Sequence, residues 1–461
     1  MDVILYVMDA LRADALSCFG NEYETSPVVD SFAEDAVTYT NAYSTSTWTK
    51  AAATSLFTSR HPRALGMVHQ MDVLPAVDYS LSTVLSERGF ESYAVSANTF
   101  VSEEFGFTGF DDFTLLQRDP AYQERRRSAK KIRENDRKIM DRLGLDEIVT
   151  PLSADVNDRL FEILEDTADT DTFVTAWSID THGPYFVRGD SSEFGNSQSD
   201  MLLESEVNAD NLEKARSLYR DMVRYNDEQF GHLLDRLRAA GRYEDALVIL
   251  VADHGEGFGE HTSFLDMPIV GHNSVAYEEL VHIPMLVKYP GGRWAGTTED
   301  ALTQLLDVHP TVTDVCGVER PDPVQGRSLV PSSNELSDDR TLFMESHPLP
   351  DQVYTGAVRR GPDKLITVDH DIQWGTDVRQ MAGSLLWKYA VSSPQLYDLD
   401  ADPDERDDLA ADYPDLASNL QRAFESRRDE LDEAAESVGS RHLDGVAEDT
   451  ERHLTAMGYL E

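Results

Sequence analysis

Two apolar runs in this sequence lead into residues that can bind a metal. Residues 3–8 are followed by Asp9, and residues 246–251 are followed, after one alanine, by Asp253 and His254. Carboxylate oxygens and an imidazole suit a borderline divalent metal such as manganese or zinc. Buried parallel strands have this apolar character, and α/β enzymes bind ligands beyond the carboxyl ends of such strands. We therefore expect the three side chains to converge on one cation.

A third apolar run, residues 172–179, ends at Asp180, Thr181 and His182. Acids in such positions are more often helix caps or turn formers. That interpretation weakens when three apolar strands each deliver acids or imidazoles at the same end, because the carboxyl ends of parallel strands meet at one edge of the sheet.

Thr49 directly precedes residues 50–58, a stretch that contains good helix formers. A hydroxyl at this place is commonly an N-cap. The same place offers free N–H groups and the positive end of the helix dipole to an anion. A hydroxyl bound to a metal there would lose its proton more easily and become a nucleophile. The local residues alone favour the cap.

The strands alternate with stretches of helical character at residues 27–35, 80–88, 155–165 and 211–240. A fourth strand is predicted at residues 283–287. This alternation predicts an α/β fold with a mostly parallel sheet that is covered on both faces. Residues 118–150 are dense in charge, which favours a solvated helix on an inserted segment over a basic binding patch.

The pattern changes after about residue 335. Short strands are predicted at residues 341–344, 353–358, 365–368 and 385–390, which suggests an antiparallel sheet. A helix over 414–436 follows, with Leu416, Leu420, Phe424 and Leu431 on one side. We divide the chain into a catalytic domain, 1–335, and a C-terminal α+β module, 336–461. The polar tail beyond residue 438 is expected to be partly mobile.

The formal net charge is -45, from 85 acidic and 40 basic residues. Such a surface repels nucleic acid and anionic membranes. Acids spread over the whole chain, with few lysines, suggest a halophilic protein in a salt-rich cytoplasm, where screening relieves self-repulsion. No apolar run reaches the roughly 18 residues that span a bilayer, and the N-terminus lacks a basic leader, so we expect cytoplasmic localisation. Cys18 and Cys316 alone cannot form a disulfide framework.

Eight segments resemble, in order, segments of the sulfatase family of the alkaline phosphatase superfamily. VILYVMDALRADALSCFG is similar to the opening strand and metal-binding turn, SPVVDSFAEDAVTYTNAYS to the segment after it, and TKAAATSLFTSRHPRALG to the nucleophile helix. The others are WSIDTHGPYF, VILVADHGEGFGEH, GHNSVAYEELVHIPMLV, LLDVHPTVTDVCGVERPDPVQGRSL and LYDLDADPDERDDLA. The resemblance implies an alkaline-phosphatase-like three-layer α/β/α fold with a central mixed, mostly parallel sheet and a smaller C-terminal module.

The resemblance places Thr49 at the nucleophile, and the departures from the family pattern are informative. The usual cysteine or serine is absent, so the formylglycine that sulfatases make from it cannot form. The second acid of the usual Asp-Asp pair is Ala10, and His254 replaces an asparagine. The proline, serine and arginine of the nucleophile motif are replaced by the alanines at 51–53.

Asp9, Thr49, Asp253 and His254 resemble the metal set of threonine-dependent relatives. These relatives include lipoteichoic-acid synthases, phosphoethanolamine transferases and nucleotide phosphodiesterases, which act on phosphate esters through a phosphothreonine-like intermediate. The resemblance thus implies one divalent metal, manganese, zinc or calcium, with Thr49 as both ligand and nucleophile.

The resemblance also implies roles for three further residues. His182 and His272 match places that hold the ester anion or protonate the leaving group. Lys50 lies beside the nucleophile and could neutralise a transferred anion, although a plain solvated lysine fits the sequence equally well.

The expected function is hydrolysis or transfer of a phosphate or sulfate ester on a small-molecule or glycan substrate, with phosphate favoured. One alternative is a true sulfatase that uses unmodified threonine. Another is an inactive metal-binding protein, which loss of the Pro-Ser-Arg motif suggests and retention of four metal ligands opposes. The oligomeric state stays open.

Overall fold

The computed structural model describes residues 1–128, 138, 151–189, 192–262, 268–272, 275–333, 335–336, 340–346, 354–369, 394–439, 441–443 and 445–456. The strands along this part of the chain are β1 (Asp2–Met8), β2 (Val37–Tyr39), β3 (Ala42–Tyr43), β4 (Asp72–Val73), β5 (Glu91–Ser96), β6 (Asp112–Leu115), β7 (Thr172–Ser178), β8 (Tyr185–Phe186), β9 (Met201–Leu202), β10 (Leu247–Ala252), β11 (Gly257–Thr262), β12 (Pro268–Gly271), β13 (Met285–Lys288), β14 (Thr297–Glu299), β15 (Thr303–Gln304), β16 (Thr341–Ser346), β17 (Tyr354–Arg360), β18 (Asp363–Asp369), β19 (Gln395–Asp398) and β20 (Arg441–His442).

The α-helices of the same residues are α1 (Pro27–Ala33), α2 (Thr49–Thr58), α3 (Leu81–Glu87), α4 (Pro120–Ser128), α5 (Ser153–Asp166), α6 (Leu212–Ala239), α7 (Glu278–Val281), α8 (Val308–Cys316), α9 (Pro414–Val438) and α10 (Glu448–Ala456). The helices predicted from the sequence match α1, α3, α5, α6 and α9 to within about three residues. The agreement follows from their amphipathic patterns, which packing against the sheet preserves.

A mixed eight-stranded sheet forms the centre, in the order β14-β2-β13-β10-β1-β7-β5-β6. Every neighbouring pair is parallel except the two pairs that β13 makes with β10 and β2. Every residue of β1, β7 and β10 is buried. The predicted fold class, a mixed but mostly parallel sheet with helices, is therefore confirmed.

The register of the three central strands brings their carboxyl ends together. Met8, the last residue of β1, lies opposite Ala252 of β10 and Ser178 of β7. The residues that follow these three strands therefore start at the same edge of the sheet, which is where a parallel sheet presents its ligand-binding groups.

The smaller C-terminal module is an antiparallel sheet in the order β16-β17-β18-β19, with α9 packed on it. Phe424 of α9 lies so close to Gly356 of β17 that a Cβ there would sit 2.3 Å from its ring. The predicted strand 385–390 lies outside the described residues, and the fourth strand is Gln395–Asp398. The boundary at residue 335 stays a prediction.

The C-terminal tail packs against the catalytic domain in the part that the structure describes. Strand β20 pairs with β4, and Thr450 and Leu454 are buried. A short amphipathic helix thus supplies an apolar contact that the polar composition hides, and the expected partial mobility of the tail stays a prediction. Of the predicted insertion 118–150, most lies outside the described residues, and its first part contains α4. No described helix is long and apolar enough to cross a membrane.

Candidate metal centre and active site

The residues after β1 and β10 converge as the sequence predicts. One ligand atom each from Asp9, Asp253 and His254 lies within 4.8 Å of the other two, and all three residues are 0% exposed. Two buried carboxylates beside an imidazole are costly unless positive charge lies between them. The arrangement therefore has the donor chemistry of a divalent metal site.

Each carboxylate has one oxygen satisfied by the protein and one that is not. Asp253 Oδ1 accepts hydrogen bonds from the backbone N–H groups of Ala10 (3.0 Å) and His254 (2.9 Å). Within the described chain, Asp253 Oδ2 accepts no hydrogen bond, and neither does Asp9 Oδ1. Buried acceptors without donors are uncommon in folded proteins, so this pair is what a cation site requires.

The other oxygen of Asp9 is satisfied by two side chains. The indole N–H of Trp177 donates to Asp9 Oδ2 at 2.8 Å, and the amide Nδ2 of Asn98 donates to the same atom at 2.7 Å. Trp177 is in β7 and Asn98 follows β5, so both donors come from strands on the same side of β1.

The imidazole of His254 presents a lone pair to the same point. Its Nδ1 lies 2.8 Å from the carbonyl oxygen of Gly255, which can only accept, so Nδ1 carries the proton and Nε2 in the neutral ring does not. His254 Nε2 lies 3.4 Å from Asp253 Oδ2, 3.9 Å from Asp9 Oδ1 and 3.2 Å from Thr49 Oγ1. Ligands about 2.1 Å from a tetrahedral metal are about 3.4 Å apart, so the spacing fits.

Backbone conformation at two positions makes this geometry possible. Ala10 has φ of 57°, a left-handed conformation that few non-glycine residues adopt, and this turns its N–H toward Asp253. Gly255 lies against α7 so closely that a Cβ there would sit 2.0 Å from the carbonyl oxygen of Glu279. The glycine that follows the candidate ligands Asp253 and His254 is therefore required by close packing.

Thr49 is the first residue of α2, and Trp48 is the N-cap residue. The N-cap interpretation of Thr49 is therefore wrong by one position, since no side chain caps this helix. The Thr49 hydroxyl instead faces the candidate ligands, 3.2 Å from His254 Nε2, and Thr49 is 1% exposed. It lies where the positive end of the helix dipole and the cation site coincide.

His182 and His272 meet beside the ligands. Their Nε2 atoms are 3.2 Å apart, and the ring of His272 stacks on that of His254 with centroids 4.5 Å apart. His182 Nδ1 lies 2.7 Å from the carbonyl oxygen of Gly183 and so carries a proton. In a neutral His182, Nε2 is then an acceptor, and His272 supplies the proton between the rings. The Nδ1 of His272 lies 3.2 Å from Glu256 Oε1.

Burial dominates the electrostatics of the site. It raises the pKa of Asp9 to about 6, with help from the charge of Asp253, and it raises the pKa of Asp253 to about 7. It lowers the pKa values of His182, His254 and His272 to about 3. Every group is thus driven toward its neutral form, and a divalent cation reverses that preference for the carboxylates.

Lys50, the predicted anion-binding residue, is buried and bound elsewhere. Its ammonium group donates to the backbone carbonyls of Gln70 and Asp72, and it lies 4.6 Å from the ring centroid of Phe105. Burial lowers its pKa to about 7. A role in substrate binding stays a prediction, and the described contacts of the ammonium are structural.

Sequence reasoning missed three residues at this site, namely Asn98, Trp177 and Glu256. Asn98 follows a strand whose alternating half-buried pattern gave no sign of a site. Trp177 lies inside the apolar run of β7, where an indole ring is normally interpreted as part of the hydrophobic core. Glu256 was visible in the motif ADHGEGFGEH, two residues after a ligand, and adjacency to a predicted metal ligand was the available signal.

Comparisons with known proteins show which family this chain resembles. A family model described as Sulfatase matches residues 1–318. Arylsulfatase K of Bos taurus is 29% identical over 221 residues, which are 47% of this chain and 37% of that protein. An ulvan-active sulfatase of Formosa agariphila is 25% identical over 364 residues, 75% of this chain and 68% of that protein. The chain thus aligns with little more than a third of the arylsulfatase.

Solved structures show the same fold. A phosphonate monoester hydrolase from Silicibacter pomeroyi superposes with a TM-score of 0.70 at 19% identity, covering 97% of this chain and 100% of that one. A protein solved in complex with its substrate D-glucosamine-2-N,6-O-disulfate gives a TM-score of 0.66 at 17% identity, covering 94% and 98%.

Proposed function

The chain belongs to the sulfatase family, and we propose that it is a metal-dependent hydrolase that cleaves phosphate esters through a covalent Thr49 intermediate. The observation that carries the proposal is the position of the Thr49 hydroxyl. It lies 3.2 Å from His254 Nε2, beside two carboxylate oxygens that accept no hydrogen bond from the described residues. A hydroxyl that only stabilised a helix would not be directed at such a cluster.

Asp9, Thr49, Asp253 and His254 would hold the cation. When bound, a divalent metal lowers the pKa of a ligating hydroxyl and offsets the charge of an anionic ester. The His254 imidazole in place of an asparagine favours manganese or zinc over calcium, which prefers oxygen ligands.

The residues of the chain account for the rest of the reaction. The Thr49 oxygen forms a bond to phosphorus in line with the ester bond that breaks, and the Thr49 proton leaves to solvent. Because Thr49 is the first residue of α2, a group bound to its oxygen would lie at the N-terminal end of that helix, where backbone N–H groups and the helix dipole favour an anion. In the neutral rings the His272 Nε2 proton lies between His182 and His272, so the pair must first take up one more proton, which one of the two imidazoles then gives to the leaving alcohol. Water then releases phosphate from Thr49.

Threonine itself supports phosphate over sulfate. Sulfatases hydrate an aldehyde, and the second hydroxyl of that hydrate lets the sulfated enzyme break down by elimination. Thr49 has one hydroxyl, so a sulfated Thr49 would have to be cleared by attack of water on sulfur. A phosphorylated threonine is cleared by attack on phosphorus in the threonine-dependent relatives.

The test is a matched panel of nitrophenyl phosphate, phosphodiester, phosphonate and sulfate esters, assayed with manganese or zinc. We expect kcat/KM to be at least about tenfold higher on a phosphate ester than on the sulfate ester, which is about 1.4 kcal/mol of transition-state stabilisation. Thr49→Ala should lower turnover by at least about a thousandfold, and Thr49→Ser should retain part of it. Cys18→Ala and Cys316→Ala are the controls, and both should retain wild-type rates.

Two other outcomes identify the rival functions. Equal or faster turnover of the sulfate ester, still dependent on Thr49, would identify a sulfatase with an unmodified threonine, a function to which the names of the curated relatives point. Tight metal binding without turnover of any ester in the panel would favour the inactive metal-binding alternative.

A further inference from the structure

The two metal-facing carboxylates are held by different kinds of donor. Asp253 Oδ1 is fixed by two backbone N–H groups, which no substitution other than proline removes. Asp9 Oδ2 is fixed by two side chains, Trp177 and Asn98, both of which can be changed. The side chains of Asp9 and Trp177 are both fully buried, so water cannot replace the donors.

The direction of both hydrogen bonds is unambiguous. An indole N–H can only donate, so Trp177 must donate to Asp9. Asn98 could in principle present either amide atom, but its Oδ1 accepts the backbone N–H of Phe100 at 2.9 Å. Its Nδ2 is therefore the atom that faces Asp9, and the same Nδ2 lies 3.5 Å from Thr49 Oγ1.

We propose that Trp177, assisted by Asn98, is a positioning residue that occupies Asp9 Oδ2 and reserves the single oxygen Oδ1 for the cation. The inference rests on the proposed metal-dependent function and adds a basis for metal choice. A carboxylate with one oxygen occupied by two strong donors cannot give both oxygens to a cation.

The consequence is discrimination between cations. Calcium takes six to eight oxygen ligands and accepts carboxylates through both oxygens, whereas zinc binds few ligands at short distance. Holding Asp9 to one oxygen keeps the ligand count low and so disfavours calcium. Hydrogen bonds to metal-binding side chains typically change affinity by about 10- to 100-fold.

The experiment measures binding of Mn²⁺, Zn²⁺ and Ca²⁺ to the full chain by competition with a chromophoric chelator, without any substrate. Trp177→Phe keeps an aromatic ring against its neighbour Phe57 and removes the N–H donor together with part of the ring volume. We expect its dissociation constants for Mn²⁺ and Zn²⁺ to rise about tenfold or more. The fold increase in the dissociation constant for Ca²⁺ should be smaller than these by a factor of at least about three. Trp294→Phe, a tryptophan change far from the site, is the matched control and should match wild type.

Asn98→Ala should shift the same ratio in the same direction, which provides a second measurement if Trp177→Phe does not fold. Unchanged affinities in both variants would overturn the inference. So would an equal loss for all three cations, because that is what a purely structural role predicts. Failure of the function is distinguishable, since a wild-type protein that binds metal yet cleaves no ester leaves the positioning role intact.

Discussion

Two clusters in this protein contain the same residue types and differ in what they can bind. One is Asp9, Asp253 and His254. The other, here called the junction cluster, is His261, Glu279 and Glu405, which joins β11 and α7 to the chain after β19. In both clusters, ligand atoms from one histidine and two acids lie within 4.8 Å of one another.

The junction cluster contains its own positive charge. His261 Nδ1 lies 2.8 Å from Glu279 Oε1, and its Nε2 lies 3.1 Å from the carbonyl oxygen of Glu405. The buried ammonium of Lys364 lies 2.8 Å from carboxylate oxygens of both Glu278 and Glu405. His261 and Glu279 are thus already joined by a hydrogen bond, and Glu405 Oε1, which accepts no hydrogen bond within the described chain, faces the Lys364 ammonium as an ion pair.

The comparison shows that residue composition alone does not define a metal site. At the first cluster, the donors satisfy one oxygen of each carboxylate and leave the other two oxygens facing His254 Nε2. At the junction cluster, a lysine takes the place that a cation would have. The two clusters differ in where the neighbouring hydrogen-bond donors and charges point, and only the folded structure shows this.

The largest expected effect compares one acid from each cluster. Asp253→Asn removes a charge from the first cluster and should reduce bound metal from about one equivalent to nearly none, because a neutral amide is a poor ligand beside one remaining carboxylate. Glu279→Gln is the matched change in the junction cluster and should leave the metal content at about one equivalent. Metal analysis of the purified, dialysed proteins measures both.

If the wild type bound a second equivalent of metal and Glu279→Gln lost it, the junction cluster would also be a metal site, and the comparison would be wrong. If Asp253→Asn kept its metal, the assignment of the first cluster as the metal site would be wrong.

The next effect concerns the internal cation of the junction cluster. Lys364→Met leaves Glu278 and the fully buried Glu405 without their ammonium partner, which should lower the free energy of unfolding by about 3 kcal/mol. Denaturant unfolding at neutral pH measures it. Lys214→Met removes a half-exposed ion pair with Asp200 and should cost less than about 1 kcal/mol. Equal losses in the two variants would mean that the junction cluster is no more than a surface network.

The smallest expected effect is a pH dependence at His261. Burial opposes its charge, but the hydrogen bond and charge of Glu279 outweigh burial, so the pKa of His261 is raised. A histidine with a raised pKa adds stability that is complete below its unfolded pKa, about 6.5, and is lost as pH rises through the folded value. His261→Gln should therefore lose less stability than wild type as the pH rises above about 6.5.

Other groups packed around His261 also affect how its contribution to stability changes with pH. They include Glu279, Glu405 and the ring of Tyr277, whose centroid lies 3.6 Å from that of His261. Burial raises the pKa of Glu405 to about 7, and the charge of Glu405 is one cause of the raised pKa of His261, so the difference between the two proteins reports the titration of these interacting groups together. His232→Gln, on α6, is the control. Parallel stability curves for wild type and His261→Gln would show that His261 does not change its charge on unfolding.

Much of the fold could be predicted from the sequence. The strands β1, β7 and β10 were visible because continuous apolar runs of that length are typical of strands buried on both faces. The acids after them were visible because polar residues mark where such strands end. The fourth strand of the C-terminal sheet and the packed tail were not predicted, since short elements carry little periodic signal.

The sequence by itself determined which strand-end groups reach the site, namely Asp9, Asp253 and His254, whereas Thr49 was assigned to it by the family resemblance because its local residues favoured a helix cap. A strand end fixes where a side chain starts, and this information is local. The tertiary structure decided which atoms face the metal position. Trp177 reaches Asp9 only because β7 pairs with β1 in a register that places it opposite Val7, and Asn98 arrives from β5 beyond it. Hydrogen-bond direction depends on such neighbours, which are distant in sequence, so it cannot be read from any one segment.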